Sequence, residues 1–188
     1  MLYISKGNSK VGNIPSISLP PVTTCVTSTP CVKECYAIRI SKRFSHVRKQ
    51  WEHNLYEYID DSGIYFNTIF KFLDVNKPKY FRFHIGGDCP DKYYTLQVIK
   101  ICAQFPNTNF LIFTKRYEWF SNISVLSNLF VILSMWPYIK EPQSSFRKTW
   151  VRGDLRIIGK ELYSCKGKCT ECLYCFNNNP LDILLKPH

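Results

Sequence analysis

Residues 80–116 read YFRFHIGGDCPDKYYTLQVIKICAQFPNTNFLIFTKR, and this stretch decides the fold. Its opening, YFRFHI at 80–85, alternates aromatic and polar side chains with the period of a strand, and Gly86-Gly87-Asp88 ends it in a turn. A helix is expected from about Asp91 to Ala103. NFLIFTKR at 109–116 is a nearly continuous apolar run, as expected of a strand covered on both faces. Strand, helix, strand is the βαβ unit of a parallel sheet, so the expected class is α/β. LFVILSMWP at 129–137 repeats the buried-strand pattern, and DLRIIGK at 154–160 reads as a last strand.

Toward the amino terminus, Phe66, Ile69, Phe70 and Leu73 predict a helix over 62–74, ending before the breaker Asn76-Lys77-Pro78. One longer amphipathic helix is expected from Tyr36 to Tyr58, because Phe44, Val47, Trp51, Leu55 and Tyr58 recur at steps of three and four. Arg39, Lys42, Arg43, Arg48 and Lys49 give it a basic exposed side. Residues 1–24 are rich in Ser, Thr, Gly and Pro and read as an extended lead-in. The expected organisation is that lead-in, an α/β core over 25–160, and a Cys-rich metal-binding tail over 161–188 packed on the core.

With 188 residues, 45% of them hydrophobic and 15% aromatic, the chain has material for one buried core, which excludes wholesale disorder. The net charge of +11 favours an anionic partner, nucleic acid or a phosphorylated ligand, with a merely solvated basic surface as the plain alternative. The start, MLYISKGNSKVG, lacks the apolar run of a secretory signal, and no stretch approaches the roughly 20 apolar residues of a membrane span. A soluble cytoplasmic protein with no membrane partner is expected. Gly-rich phosphate loops, serine nucleophile elbows and His-Glu zinc-protease motifs are absent from the sequence.

Nine cysteines in a reducing compartment point to metal ligation rather than disulfides, and the odd count agrees. Cys165, Cys169, Cys172 and Cys175 fall in CKGKCTECLYC, with three, two and two residues between them. Thiolates so crowded repel one another until a cation or cluster neutralises them. Four thiolates suit either tetrahedral zinc or a 4Fe-4S cluster; zinc ribbons usually use two separated pairs, so this compact run favours iron–sulfur, with zinc as the alternative. Cys25, Cys31 and Cys35 form a second group, in CVTSTPCVKECYAIR. Three thiolates can hold a four-iron cluster with one iron open to a ligand; alternatively these three join later cysteines in one closed site, so one cluster or two is left open. Cys89 is a candidate fourth ligand, and Cys102 on an apolar helix reads as core.

Other residues cluster at the carboxyl ends of the expected strands, where parallel sheets bind ligands. Lys115 and Arg116 there would neutralise a carboxylate or phosphate, or would simply be surface charge capping the strand. Ser134 and Trp136 would offer a hydroxyl and a stacking face, or Trp136 would pack in the core. His84, inside the strand, is either a proton donor facing the cluster or a satisfied buried histidine.

The cysteine loop before a helix, followed by a strand ending in Gly86-Gly87-Asp88, resembles the opening of a radical S-adenosylmethionine enzyme. In that superfamily three cysteines hold a 4Fe-4S cluster whose open iron chelates the cofactor, and a Gly-Gly-Glu strand end receives its ammonium group. The resemblance implies a partial (β/α) barrel, a possible radical enzyme with an electron donor as partner, and cofactor contacts from Gly86, Gly87 and Asp88. The chain departs from the superfamily in its cysteine spacing and in carrying Asp for Glu. CVKECYAIR, FRFHIGGDC, FLIFTKR, LFVILSMWP and the terminal cysteine run together look more closely like a family of small bacteriophage proteins that resemble shortened domains of this kind. That resemblance spans about 25–176 and implies expression in a bacterial host's cytoplasm. It supplies no activity and no catalytic residue.

Overall fold

The computed structural model describes residues 1–9, 11–26, 30–120, 126–137 and 139–185. Seven strands, β1 (Ser16–Ile17), β2 (Tyr80–Phe83), β3 (Asn109–Thr114), β4 (Leu129–Ser134), β5 (Lys148–Trp150), β6 (Tyr163–Ser164) and β7 (Ile183–Leu184), form one sheet in the order β1-β2-β3-β4-β5-β7-β6. Every neighbouring pair is parallel. No pairing among the described residues joins β1 to β6, so the sheet is open. The α/β reading therefore holds, with all strand carboxyl ends brought to one rim.

Alternation along each strand assigns two layers. Phe81 and Phe83 of β2, Phe110 and Ile112 of β3, and Val131 and Leu133 of β4 face the larger core, which also takes Tyr65, Ile69 and Leu73 from α3 (Ser62–Asn76) and Tyr94, Val98 and Ile101 from α4 (Lys92–Gln104). The opposite face carries a smaller cluster of Ile14, Leu111, Ile132, Phe176 and Ile183, against which Cys165, Cys169 and Cys175 pack. The sheet thus separates a helical core from a cysteine-rich face. Both faces are covered, which is why β3 and β4 read as unbroken apolar runs.

Two expectations need correction. The helix expected over 36–58 is two, α1 (Tyr36–Arg43) and α2 (Ser45–Asp60), because Phe44 leaves the helical region at φ −122°, ψ 94°. DLRIIGK forms no strand: Asp154 accepts from the backbone N–H of Arg156 and caps a 3-10 turn at Leu155–Ile157, leaving Leu155 and Ile158 exposed. Within residues 1–24, Ser16 and Ile17 of β1 register with Arg82 and Phe83, and Val11, Ile14, Ile17 and Leu19 are buried. Among the described residues no helix is long and apolar enough to cross a membrane.

Candidate metal and ligand site

Parallel strands send each chain segment out at the same rim, and the residues that follow them build one cavity of about 280 Å³. Cys25, Cys31 and Cys35 reach it from the connection between β1 and α1. Cys31 lies in a 3-10 turn and Cys35 immediately precedes α1. Cys165, Cys169, Cys172 and Cys175 reach it from the other end of the chain. The backbone N–H of Cys165 bonds to the Leu184 carbonyl at 2.9 Å, Cys169 and Cys172 begin and end a one-turn helix (Cys169–Cys172), and Cys175 follows on a 3-10 turn. All seven cysteines singled out in the sequence therefore line one space. The remaining two do not: Cys89 and Cys102 are fully buried in the helical core, so Cys89 does not complete the first group from the cavity wall.

The cysteine tail is fastened from several sides. Arg147 donates to the carbonyls of Tyr174 and Cys175 at 3.1 and 3.0 Å. Tyr163 and Tyr174 stack with centroids 3.6 Å apart. Asp182 accepts from the backbone N–H of Lys148 and from the Trp150 indole, each at 2.8 Å, tying the strand that returns from the loop to β5. Burial pushes the Cys175 thiol up to about 12 against the pull of Arg82, and pushes Cys25 up to about 11 against Lys115. Burial thus favours the protonated form of these two thiols, and a metal taken up there would have to displace their protons.

Gly87, Asp88, Lys115, Ser134 and Trp136 also line the cavity. Asp88 is buried and well satisfied: its Oδ1 accepts from the backbone N–H of Cys89 and the hydroxyl of Thr114, and its Oδ2 from the backbone N–H of Lys115, all at 2.8 Å. Burial raises its pKa, with these bonds and the Lys115 charge opposing. Ser134 contributes its carbonyl to the Tyr117 hydroxyl. Gly86 stands apart from the cavity wall, and a Cβ there would lie 2.7 Å from the Trp51 ring. Gly87 holds φ +79°, and a Cβ would lie 2.6 Å from the Leu19 carbonyl and 2.7 Å from Thr24 Oγ1. The two glycines thus let α2 and the segment before Cys25 close onto the end of β2.

His84 is buried at φ +61°, its Nε2 bonded to the Tyr94 hydroxyl at 3.0 Å, while its Nδ1 is buried without a partner. Burial, with the Arg82 charge adding, lowers its pKa to about 3, so it is a neutral imidazole rather than a ready proton donor. Ligand-type atoms of His84, Asp88 and Cys89 lie within 4.8 Å of one another. Within this trio the Asp88 carboxylate is already engaged by three hydrogen bonds, which join the turn after β2 to the end of β3.

Sequence reading missed Arg82. An arginine between two phenylalanines in a strand signals only an outward face; that this face is the cysteine side follows from the sheet.

Comparisons with curated proteins and with solved structures return no match. A family model does match, over residues 4–141, which takes in β1 to β4, the first three cysteines, Asp88, Lys115 and Ser134 and stops short of β5 and the terminal cysteine run. With most of its length matched, this chain belongs to the phage-type gene product 88 family.

Proposed function

We propose that this chain is an iron–sulfur protein of phage origin, acting in the cytoplasm of a bacterial host, with a site like that of radical S-adenosylmethionine enzymes. One observation carries the reading: seven of nine cysteines, from opposite ends of the chain, line the same cavity at the carboxyl rim of a parallel sheet, while the other two are core. Thiols at such a rim are a donor set for soft metal centres. Cys25, Cys31 and Cys35 would hold a 4Fe-4S cluster by three thiolates, leaving one iron open to S-adenosylmethionine. Gly87, Asp88, Lys115 and Ser134 line the same space. Cys165, Cys169, Cys172 and Cys175 would hold a second cluster, relaying electrons from a donor protein or anchoring substrate. The open parallel sheet is compatible with the partial barrel that this likeness implies.

The test is iron, acid-labile sulfide and zinc content on protein purified without oxygen, together with the visible spectrum. Iron with matching sulfide, reduced when Cys25, Cys31 and Cys35 are all replaced by Ala, supports the reading; unchanged cluster content in that triple variant overturns its first site. Retained cluster without binding of S-adenosylmethionine would leave a non-catalytic electron carrier.

A second reading rests on Arg39, Lys42, Arg43, Arg48 and Lys49, all exposed on α1 and α2. In it zinc, not a cluster, occupies the terminal cysteines, and the basic face grips nucleic-acid phosphates. Zinc without sulfide and a steep salt dependence of binding would select it.

A further inference from the structure

On the second sheet face the Arg82 guanidinium makes no ion pair among the described residues. Arg82 sits in β2 with its neighbours Phe81 and Phe83 turned to the helical core, so its own side chain projects to the cysteine side, with its guanidinium 4.7 Å from the Phe113 ring centroid. Its Nε is sealed from solvent and finds no hydrogen-bond partner, and among the described residues no carboxylate pairs with it. The groups whose charge would act on it are the thiols of Cys169, Cys175 and Cys165, with the Tyr36 hydroxyl. A half-buried guanidinium whose Nε is sealed off without a partner is costly. The same cation facing a thiolate–metal centre, which is anionic whether four thiolates hold zinc or a four-iron cluster, is compensated.

We infer that Arg82 is the internal counter-cation of the metal centre held by Cys165, Cys169, Cys172 and Cys175, a positioning residue that sets how tightly the centre is retained and, where it is redox-active, its reduction potential. The inference rests on the reading that the terminal cysteines bind metal, but not on which metal. Reduction adds one electron to an anionic centre, and a fixed positive charge beside it stabilises the reduced form. Removing the charge shifts the equilibrium toward the oxidised form. Arg116 also has a buried Nε without a partner, but among the described arginines only Arg82 combines this with a place on the cavity wall.

The experiment compares full-length wild type, Arg82→Met and Arg82→Lys, each metal-loaded and each stripped by chelator. Metal per chain, chelator competition, midpoint potential and thermal stability are measured. Arg82→Met should weaken metal retention at least tenfold. For an iron–sulfur centre it should shift the reduction equilibrium about tenfold toward the oxidised form, about 59 mV for one electron, with Arg82→Lys largely restoring both. In the stripped protein the sign should invert: Arg82→Met should melt no lower than wild type, because an uncompensated charge has been removed. A merely structural arginine would lower stability in both states alike, and that result overturns the inference. Repeating the series with Cys25, Cys31 and Cys35 replaced by Ala isolates the terminal centre; should that background fail to fold, the inversion in the otherwise native chain still decides. Wild type without metal at the terminal cysteines overturns the site and the inference together, whereas metal-loaded wild type whose retention and potential ignore Arg82→Met overturns the role of Arg82 alone.

Discussion

Asp88 shows how a residue singled out for a ligand comes to serve the scaffold as well. Its carboxylate receives three hydrogen bonds that join the turn after β2 to the end of β3. Asp88→Asn would turn an acceptor into a donor facing either the Lys115 N–H or the Cys89 N–H. It should cost about 1–3 kcal/mol, the penalty for leaving a buried polar group unsatisfied, and be read as a lower denaturant midpoint with unchanged slope. His84 gives a pH-dependent counterpart. Its pKa drops from 6.5 when free to about 3 in the fold, so the unfolded chain takes up a proton that the folded chain refuses. Stability from this source is complete above pH 6.5 and falls as pH drops toward 3, by up to about 1.4 kcal/mol per pH unit. His84→Asn, tolerated at a left-handed φ, should lose stability at pH 7 and recover relative to wild type by pH 4.5. Urea titrations at both values measure it, and a difference that does not change with pH would sink it. Residue type and spacing were enough to single out both cysteine groups in the sequence. That His84 loses its charge was not legible, since it depends on burial and on Arg82 two residues away across the strand.

At the scale of elements, strands buried on both faces announced themselves, and β2, β3 and β4 fall within the runs read from the sequence. The break at Phe44 was invisible because the apolar spacing continues across it into α2. The Ile157-Ile158 pair imitated a strand although Asp154 turns the chain and leaves Ile158 in solvent. The cysteine loop owes its shape to elements outside it, above all to Arg147 beside β5 and to Asp182 before β7. Arg147→Met removes two hydrogen bonds to the carbonyls of Tyr174 and Cys175 and the contact of its guanidinium with the Tyr174 ring. Loss of about 1–3 kcal/mol locally should open the loop without unfolding the sheet. Limited proteolysis should then cut within 165–176 far faster than in wild type, while the melting temperature of the helical core moves little. Equal cutting rates would mean that the loop is held by its own packing.

The whole molecule divides by its sheet. The helical core draws its buried residues from Leu2 to Leu133, whereas the cysteine-side cluster takes Phe176 and Ile183 from the tail to cover Leu111 and Ile132. That the two cysteine groups meet could not be read from sequence, because they lie at opposite ends of the chain and are joined only by the strand order, which carries β7 and β6 beyond β5 to the same rim. A chain ended after Lys160 should therefore keep its helical core and lose its second layer. Removing Phe176 and Ile183 forfeits roughly 1.5–3 kcal/mol each in apolar burial and bares Leu111, Ile132 and the charge of Arg82 on one flat face. The expected protein retains the far-ultraviolet signature of α2, α3 and α4 and melts cooperatively at a lower temperature. It should bind a hydrophobic dye, associate at micromolar concentration, and hold metal only at Cys25, Cys31 and Cys35. Full loss of helical signal would show instead that the tail is integral to the core, and that the sheet's two faces fold as one unit rather than as a core and its cover.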